Sequence, residues 1–96
     1  LEHVQKVGEE LLRGLRQLKK HKCVRDVRGM GLAAAVEFCT EEEARSISQA
    51  MTERGFFTGL TGKVLHLKPP YVITRDLIGR FLTALDDVVA DCCPDE

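Results

Sequence analysis

His66 is the first side chain in this sequence whose type could carry chemistry, because an imidazole titrates near neutral pH and can act as a general acid or base. Alternation over residues 63–68 predicts a strand that places His66 on the face opposite Leu65 and Leu67. The other interpretation is a strand histidine that faces solvent or is hydrogen-bonded, and local sequence alone favours it. The role of His66 therefore depends on what surrounds that face.

Metal ligands and catalytic nucleophiles give no recognisable pattern. The four cysteines do not have the spacing of a zinc site, and the adjacent Cys92 and Cys93 do not readily chelate one ion. The acidic run at residues 41–43 suits the start of a helix better than a metal site. The sequence has no phosphate-binding glycine loop, no GxSxG and no HExxH motif. We therefore predict no catalytic, cofactor-binding or metal-binding residue in this sequence.

The composition is that of an ordinary globular domain. With 96 residues, of which 44% are apolar and 30% charged, the sequence fits one domain over residues 1–96 with a modest core. The net charge of −1 gives no reason to expect a nucleic-acid or membrane partner. The longest apolar run, at residues 31–36, is far shorter than the roughly 20 residues of a membrane span. Cysteines without a disulfide framework indicate a reducing compartment, the cytoplasm or the mitochondrial matrix.

The first residues lack the features of a signal peptide and open directly in a helical pattern, so we expect a piece of a longer protein. Apolar residues three and four apart predict an amphipathic helix over residues 1–22. A second helix begins at Thr40, which forms a capping box with Glu43, and ends at Arg54 before Gly55.

Thr74 is predicted to cap a third helix over residues 75–91. Asp86, Asp87 and Asp91 lie near its C-terminal end, where the helix dipole disfavours anions. One interpretation is screening by solvent or by neighbours such as Arg80. The other is that these carboxylates face a basic surface elsewhere in a larger protein.

The remaining segments have the pattern of strands. A strand over residues 32–38 has apolar side chains on one face, whereas its other face is almost bare, with Gly31, Ala33, Ala35 and Glu37. A bare face allows another layer of protein to approach closely. We also predict a short strand at residues 56–58, a turn at 59–62, and a strand at 63–68 that Pro69 and Pro70 end. The fold class is α+β, a two-layer domain in which three helices cover one face of a small, mainly antiparallel sheet.

Two segments are similar to class-III aminotransferases. Residues 27–32 read VRGMGL and are followed by VEF at 36–38, which resembles the VRGxGL segment of that family. Residues 64–74 read VLHLKPPYVIT and resemble the family's vlRlxPPLvit segment. The opening helix, with VGEELLRGL at residues 7–15, also resembles its counterpart. The segments occur in the family's order over essentially the whole sequence, so it resembles the C-terminal small domain of these enzymes.

The resemblance implies a transaminase that moves an amino group between an amine or amino acid and a 2-oxo acid. In this family a large domain binds pyridoxal phosphate (PLP) and supplies the lysine that holds it. The small domain packs on the large domain and closes the substrate cleft. The resemblance therefore implies a PLP-binding large domain that is absent from this sequence, a small amino acid or amine substrate, and a homodimer of the complete protein. We do not expect this sequence to be active by itself.

Arg28 and His66 are the substrate-binding candidates that the resemblance implies. Ornithine-type members have an arginine at the position of His66, where it can pair with a substrate carboxylate, and an imidazole does not form the same fork. Either substrate recognition differs, or His66 makes a weaker contact, or catalysis is altered. Lys68 shares its predicted face. Arg28 either contacts an anion or another domain near the cleft entrance, or forms an ion pair that holds the turn at Gly29 and Gly31.

Two other functions are compatible with the sequence. One is a stand-alone ligand-binding or regulatory α+β module with a site of its own. The other is a catalytically degenerate homologue with a structural role. Bound PLP in the complete protein would separate the last of these from an active transaminase.

Overall fold

A computed structural model describes residues 2–30, 33–67 and 74–93 of the chain. Its elements are, in order, α1 (Glu2–Arg16) with a 3-10 turn (Gln17–Lys20), β1 (Val24–Met30), β2 (Ala33–Phe38), α2 (Glu41–Glu53), β3 (Gly59–Thr61), β4 (Val64–Leu67) and α3 (Arg75–Cys92). The strands form one antiparallel sheet in the order β1-β2-β4-β3. In the described part of the chain, no helix is long and apolar enough to cross a membrane.

The three helices share one core with one face of the sheet, so the predicted α+β two-layer class is confirmed. Val36 and Phe38 of β2 and Leu65 of β4 are fully buried on that face. Apolar side chains from all three helices meet them, with Leu15, Ile47 and Leu85 also fully buried. Leu77, in the first turn of α3, is exposed and lies outside this core. The helices therefore cover only one face of the sheet. We call the opposite face, which the helices do not cover, the open face.

Local sequence sets the ends of α2 and α3 as predicted. The Thr40 hydroxyl oxygen accepts a hydrogen bond from the Glu43 backbone at 3.1 Å, and the Glu43 carboxylate accepts one from the Thr40 backbone at 3.1 Å. Gly55, with φ 90°, follows the end of α2 in the left-handed conformation that glycine tolerates best. Thr74 caps α3 through the Leu77 backbone at 3.1 Å. The α-helical part of α1 ends earlier than predicted, because residues 17–20 tighten into the 3-10 turn.

Gly14 lets α1 and α3 approach closely. A Cβ atom at this position would overlap the side chain of Leu82. The glycine lowers the intrinsic helix propensity of α1 by about 1 kcal/mol relative to alanine. The close contact with α3 explains why a glycine is accommodated there.

β1 is a strand that the sequence pattern does not predict. Residues 24–30 were not predicted as a strand, whereas they pair with β2 in register from Val27↔Val36 to Met30↔Ala33. A register shift between Val24 and Asp26 interrupts the alternation that predicts a strand. β1 is also an edge strand that carries charged residues, and such strands lack a continuous apolar face.

The prediction for residues 56–62 was wrong in its boundaries. Residues 56–58 form no strand, and β3 lies in the segment that was predicted as a turn. The turn itself is shorter, since Thr61 pairs with Val64 and leaves only Gly62 and Lys63 between the strands. Gly62 has φ 59°, as the first position of a two-residue hairpin turn requires.

Asp86 and Asp87, near the C-terminal end of α3, are screened by neighbours other than Arg80. Asp86 accepts a hydrogen bond from His21 Nε2 at 2.7 Å and lies 3.3 Å from Lys20 Nζ. Asp87 lies 3.8 Å from Arg54, whereas Arg80 pairs with Asp76 one turn away at 3.1 Å. The hydrogen bond from His21, followed by the hydrogen bond and the charge of Lys20, holds the pKa of Asp86 below its ordinary value. The interpretation of a missing basic surface is therefore unnecessary for Asp86 and Asp87.

Replacing Asp86 with asparagine is expected to lower the free energy of unfolding by about 1 kcal/mol at neutral pH. A hydrogen bond to a charged group contributes about 1.5–3 kcal/mol, and the 39% exposure of the Asp86 side chain reduces that value. Because folding lowers this pKa, the contribution is present above the unfolded value of about 3.9 and is lost as the pH falls through the folded value. Denaturant unfolding at pH 7 and near pH 3 measures the difference.

The matched control is Asp91→Asn at the same end of α3, where the carboxylate is exposed. Removing that charge relieves the unfavourable helix dipole, so stability is expected to stay level or rise by a few tenths of a kcal/mol. Equal losses for the two variants, or a loss at Asp86 that persists unchanged near pH 3, would contradict the assignment.

Candidate functional site

Strand register places His66 and Arg28 in one row across the open face. Arg28 of β1 is opposite Ala35 of β2, Ala35 is opposite His66 of β4, and His66 is opposite Gly59 of β3. We call these four residues the open-face row. Neighbouring strands lie about 4.8 Å apart, so the backbones of Arg28 and His66 are separated by about 10 Å.

His66 lies on the face that alternation predicts. Its neighbours Leu65 and Leu67 are buried towards the helices, whereas His66 is half-buried on the open face. The predicted companion Lys68 lies outside the described residues, as do Pro69 and Pro70. His66 borders two shallow depressions of the surface, one on each side of β4.

The first depression extends from His66 to Arg28 and has a volume of about 320 Å³. Between the two polar side chains its surface is made by the small residues Ala33 and Ala35 together with Gly29. Ala33 is exposed and Ala35 is half-buried. The predicted bare face is thereby confirmed for the described residues, whereas Gly31 lies outside them.

Arg28 forms two ion pairs along the open face. Its Nη1 donates to Asp26 Oδ2 at 3.0 Å and to Glu37 Oε1 at 3.1 Å. The hydrogen bond to Glu37, followed by the one to Asp26, raises the pKa of the Arg28 guanidinium. The pKa of Asp26 is lowered by a hydrogen bond from the Val27 backbone and by Arg28.

The geometry supports both interpretations of Arg28 in part. The ion pairs of the structural interpretation are present, and they run along β1 and across to β2. They engage one guanidinium nitrogen, and an arginine has five N–H donors in all. Arg28 is half exposed as a side chain and borders the same depression as His66. The open-face row therefore presents two side chains that can donate hydrogen bonds, and none of its four residues carries a nucleophile of the serine or cysteine type.

The second depression, of about 500 Å³, contains apolar residues that the sequence analysis did not single out. Phe57 is 84% exposed and Leu60 is 39% exposed, and both border the depression next to His66. The adjacent Phe56 packs edge-to-face on Phe81, with ring centroids 5.4 Å apart. The sequence offered one signal for this apolar area, the pair of aromatic residues after Gly55. Of this pair, only Phe56 packs against the core.

Comparison with known proteins identifies the family. A family model described as Aminotransferase class-III matches residues 1–89. The chain belongs to the class-III aminotransferase family. Enzymes of this family use PLP. The fold of this class-III aminotransferase domain is accordingly that of the corresponding part of transaminase structures.

The relatives of this class-III domain include proteins with different names. An acetylornithine aminotransferase of Caldanaerobacter subterraneus is 34% identical over 92 residues, which cover 95% of this chain and 23% of the relative. Ethanolamine-phosphate phospho-lyase homolog 1 of Caenorhabditis elegans is 32% identical over 102 aligned positions, covering 93% of this chain and 22% of the relative.

A solved structure of acetylornithine aminotransferase from Elizabethkingia anophelis has the same fold, with a TM-score of 0.86 and 24% identity over 94% of this chain and 25% of that one. The class-III domain described here thus spans about a quarter of the length of the proteins it matches. Its relatives establish the family and the fold.

Proposed function

We propose that this chain is the C-terminal small domain of a PLP-dependent transaminase that moves an amino group between an amine or amino acid and a 2-oxo acid. Its open face closes the substrate cleft over PLP held by a large domain of the same protein. The complete protein is proposed to be a homodimer in a reducing compartment, the cytoplasm or the mitochondrial matrix. None of the four cysteines forms a disulfide in the structure, which fits that environment.

The observation that carries this proposal is the open-face row. Two polar side chains able to contact an anion, Arg28 and His66, are separated by Ala35, whose side chain is a single methyl group. A second layer of protein can approach such a surface closely, because little side-chain volume lies between the polar groups. The exposed Phe57 beside His66 extends the surface with an apolar area that a partner layer would bury.

The residues present do not fit a site that holds PLP covalently. The open-face row contains no lysine, and no segment of the sequence resembles the cofactor-lysine motif. PLP bound in the large domain would supply the electron sink of the reaction. This chain would contribute a cleft wall, with Arg28 and His66 as groups that orient the substrate and Ala35 and Gly59 as the close-packed surface that excludes water.

His66 is the proposed determinant of substrate choice. An arginine binds a carboxylate through two parallel hydrogen bonds and keeps its charge at all working pH values. An imidazole offers one ring N–H at a time in its neutral form and does not form this fork. We therefore propose that His66 contacts the substrate carboxylate more weakly than an arginine would. The protein should then discriminate less than ornithine-type members against amino donors that lack a carboxylate at this end.

Replacing His66 with arginine is expected to raise the ratio of kcat/KM for a carboxylate-bearing amino donor to kcat/KM for a simple amine by about tenfold or more. A hydrogen bond to a charged group contributes roughly 1.5–3 kcal/mol, which corresponds to at least that factor. The measurement is transamination by the full-length protein with matched donors and one 2-oxo acid. A ratio within one enzyme is insensitive to the fraction of protein that is folded.

Gln49→Arg is the control, since it adds the same charge at an exposed position of α2 on the helical side. It should leave the ratio unchanged. A full-length protein that has the PLP-binding domain but shows neither PLP absorbance nor transaminase activity would support the degenerate homologue instead. A protein that has neither PLP absorbance nor a PLP-binding domain, yet binds a ligand of its own, would support the stand-alone module.

A further inference from the structure

The fold brings together three metal-ligating groups that are far apart in the sequence. Cys23 precedes β1, Glu43 lies in the first turn of α2, and Cys93 follows α3. The two sulfur atoms and one carboxylate oxygen lie within 4.8 Å of one another. Cys23 is 3% exposed and Cys93 is 6% exposed, whereas Glu43 is half-buried.

The three donor atoms are of the types that bind a thiophilic divalent cation. Two thiolates and one carboxylate match the ligands that Zn²⁺ takes in proteins, and soft sulfur ligands select against Mg²⁺ and Ca²⁺. A zinc–sulfur bond of about 2.3 Å places two sulfurs of a tetrahedral site about 3.8 Å apart. The two sulfurs therefore need to converge by about 1 Å at most, and each sulfur and the carboxylate oxygen by slightly more, which side-chain rotation can supply. Three protein ligands leave a fourth position for water.

Neighbouring groups already orient two of the three ligands. Glu43 Oε1 accepts hydrogen bonds from the Thr40 backbone at 3.1 Å and from the Thr40 hydroxyl at 3.0 Å, so the capping box fixes this carboxylate. The Cys23 backbone donates to Cys93 Sγ at 3.0 Å, which fixes the position of that sulfur. Such outer contacts are typical of metal sites, where they set the direction of the ligating atoms.

We propose that Cys23, Glu43 and Cys93 bind one thiophilic divalent cation of the zinc class. Binding replaces the two thiol protons, which are released to solvent as the two metal–sulfur bonds form. The cation would cross-link the start of β1, the start of α2 and the end of α3, and would thereby stabilise the fold. This site lies among the helices and the covered face, so it does not depend on the function proposed for the open face.

The test uses the full-length protein, reduced and treated with a chelator, and titrated with Co²⁺ or Zn²⁺ alone. Wild-type protein is expected to give cobalt–thiolate charge-transfer absorption and to bind one more equivalent of metal than Cys23→Ser or Cys93→Ser. Loss of either thiolate should weaken the Kd by at least roughly 100-fold, since loss of an outer-shell contact alone weakens affinity by about 10–100-fold. Zinc should also raise the Tm of the wild type more than that of either variant.

Two variants at other cysteines provide matched controls. Cys39 is exposed and donates to the Lys22 carbonyl at 3.5 Å, and Cys92 is half-buried beside Cys93. Cys39→Ser and Cys92→Ser should keep the metal stoichiometry, the absorption and the zinc-dependent rise in Tm. Glu43→Gln keeps the capping box, because glutamine also serves at that position, but removes the charge. It should bind metal about tenfold or more weakly while the protein remains folded.

Equal metal binding by the wild type and by Glu43→Gln, Cys23→Ser and Cys93→Ser would overturn the proposal. The same conclusion would follow if peptide mapping of the untreated protein showed a Cys23–Cys93 disulfide and the reduced protein took up no metal. If the serine variants fail to fold, Glu43→Gln and Cys93→Ala decide the outcome through the same titration.

Discussion

Replacing Phe38 with alanine is expected to lower the free energy of unfolding by about 3–5 kcal/mol. Phe38 is fully buried at the end of β2, in the core between the sheet and the helices. The loss combines the transfer free energy of the ring with the cost of the cavity it leaves. Domains of this size have a total stability of about 5–15 kcal/mol, so this single change removes a large part of it. Denaturant-induced unfolding, followed by circular dichroism, measures the effect.

Phe57→Ala is the matched control for Phe38→Ala. The same atoms are removed, but from a side chain that is 84% exposed and outside the core. The expected change in free energy of unfolding is within about 0.5 kcal/mol, as for surface substitutions in general. Similar losses for the two variants would mean that Phe38 is not in a packed core, and the two-layer arrangement would have to be reconsidered.

Replacing Ala35 with phenylalanine is expected to lower kcat/KM of the full-length protein by roughly 5–150-fold. Ala35 is the centre of the open-face row, and the proposed function requires a second layer of protein or substrate to approach it. Overpacking such an interface costs about 1–3 kcal/mol, which corresponds to that range of fold-change. The stability of the small domain should change little, because Ala35 is only half-buried within it.

Ala90→Phe adds the same side chain at an exposed position of α3, on the helical side of the domain. It should leave kcat/KM unchanged within about twofold. Steady-state kinetics and thermal unfolding of both variants distinguish a defect in closure from a defect in folding. Full activity of Ala35→Phe would argue that the open face is not a wall of the cleft.

Local signals explain which elements could be predicted from the sequence. The capping box at Thr40 and the cap at Thr74 mark helix starts through contacts within a few residues. By contrast, β1 depends on pairing with β2, and its register shift removes the alternation on which prediction relies. The boundary of β3 depends on the left-handed conformation of Gly62, and the sequence shows the glycine without showing which residues pair around it.

The candidate site also has some features that local sequence patterns predict and others that depend on the tertiary fold. Alternation alone predicted the face of His66, since that depends only on Leu65 and Leu67. Its alignment with Arg28 required the register of three strands, which sequence patterns do not specify. The group formed by Cys23, Glu43 and Cys93 was not predictable from spacing, because three separate elements bring these residues together. Sequence motifs detect metal sites when ligands are close in the chain, and these are not.

The order of the strands decides from which side another layer of protein can approach the domain. Both outer strands are poor templates for a further strand: β3 has three residues, and β1 carries Arg25, Asp26 and Arg28. Short or charged borders of this kind discourage another chain from extending the sheet by backbone hydrogen bonds. Association is therefore directed to the broad surface of the sheet, and assembly with a partner would depend on side-chain fit rather than on strand addition.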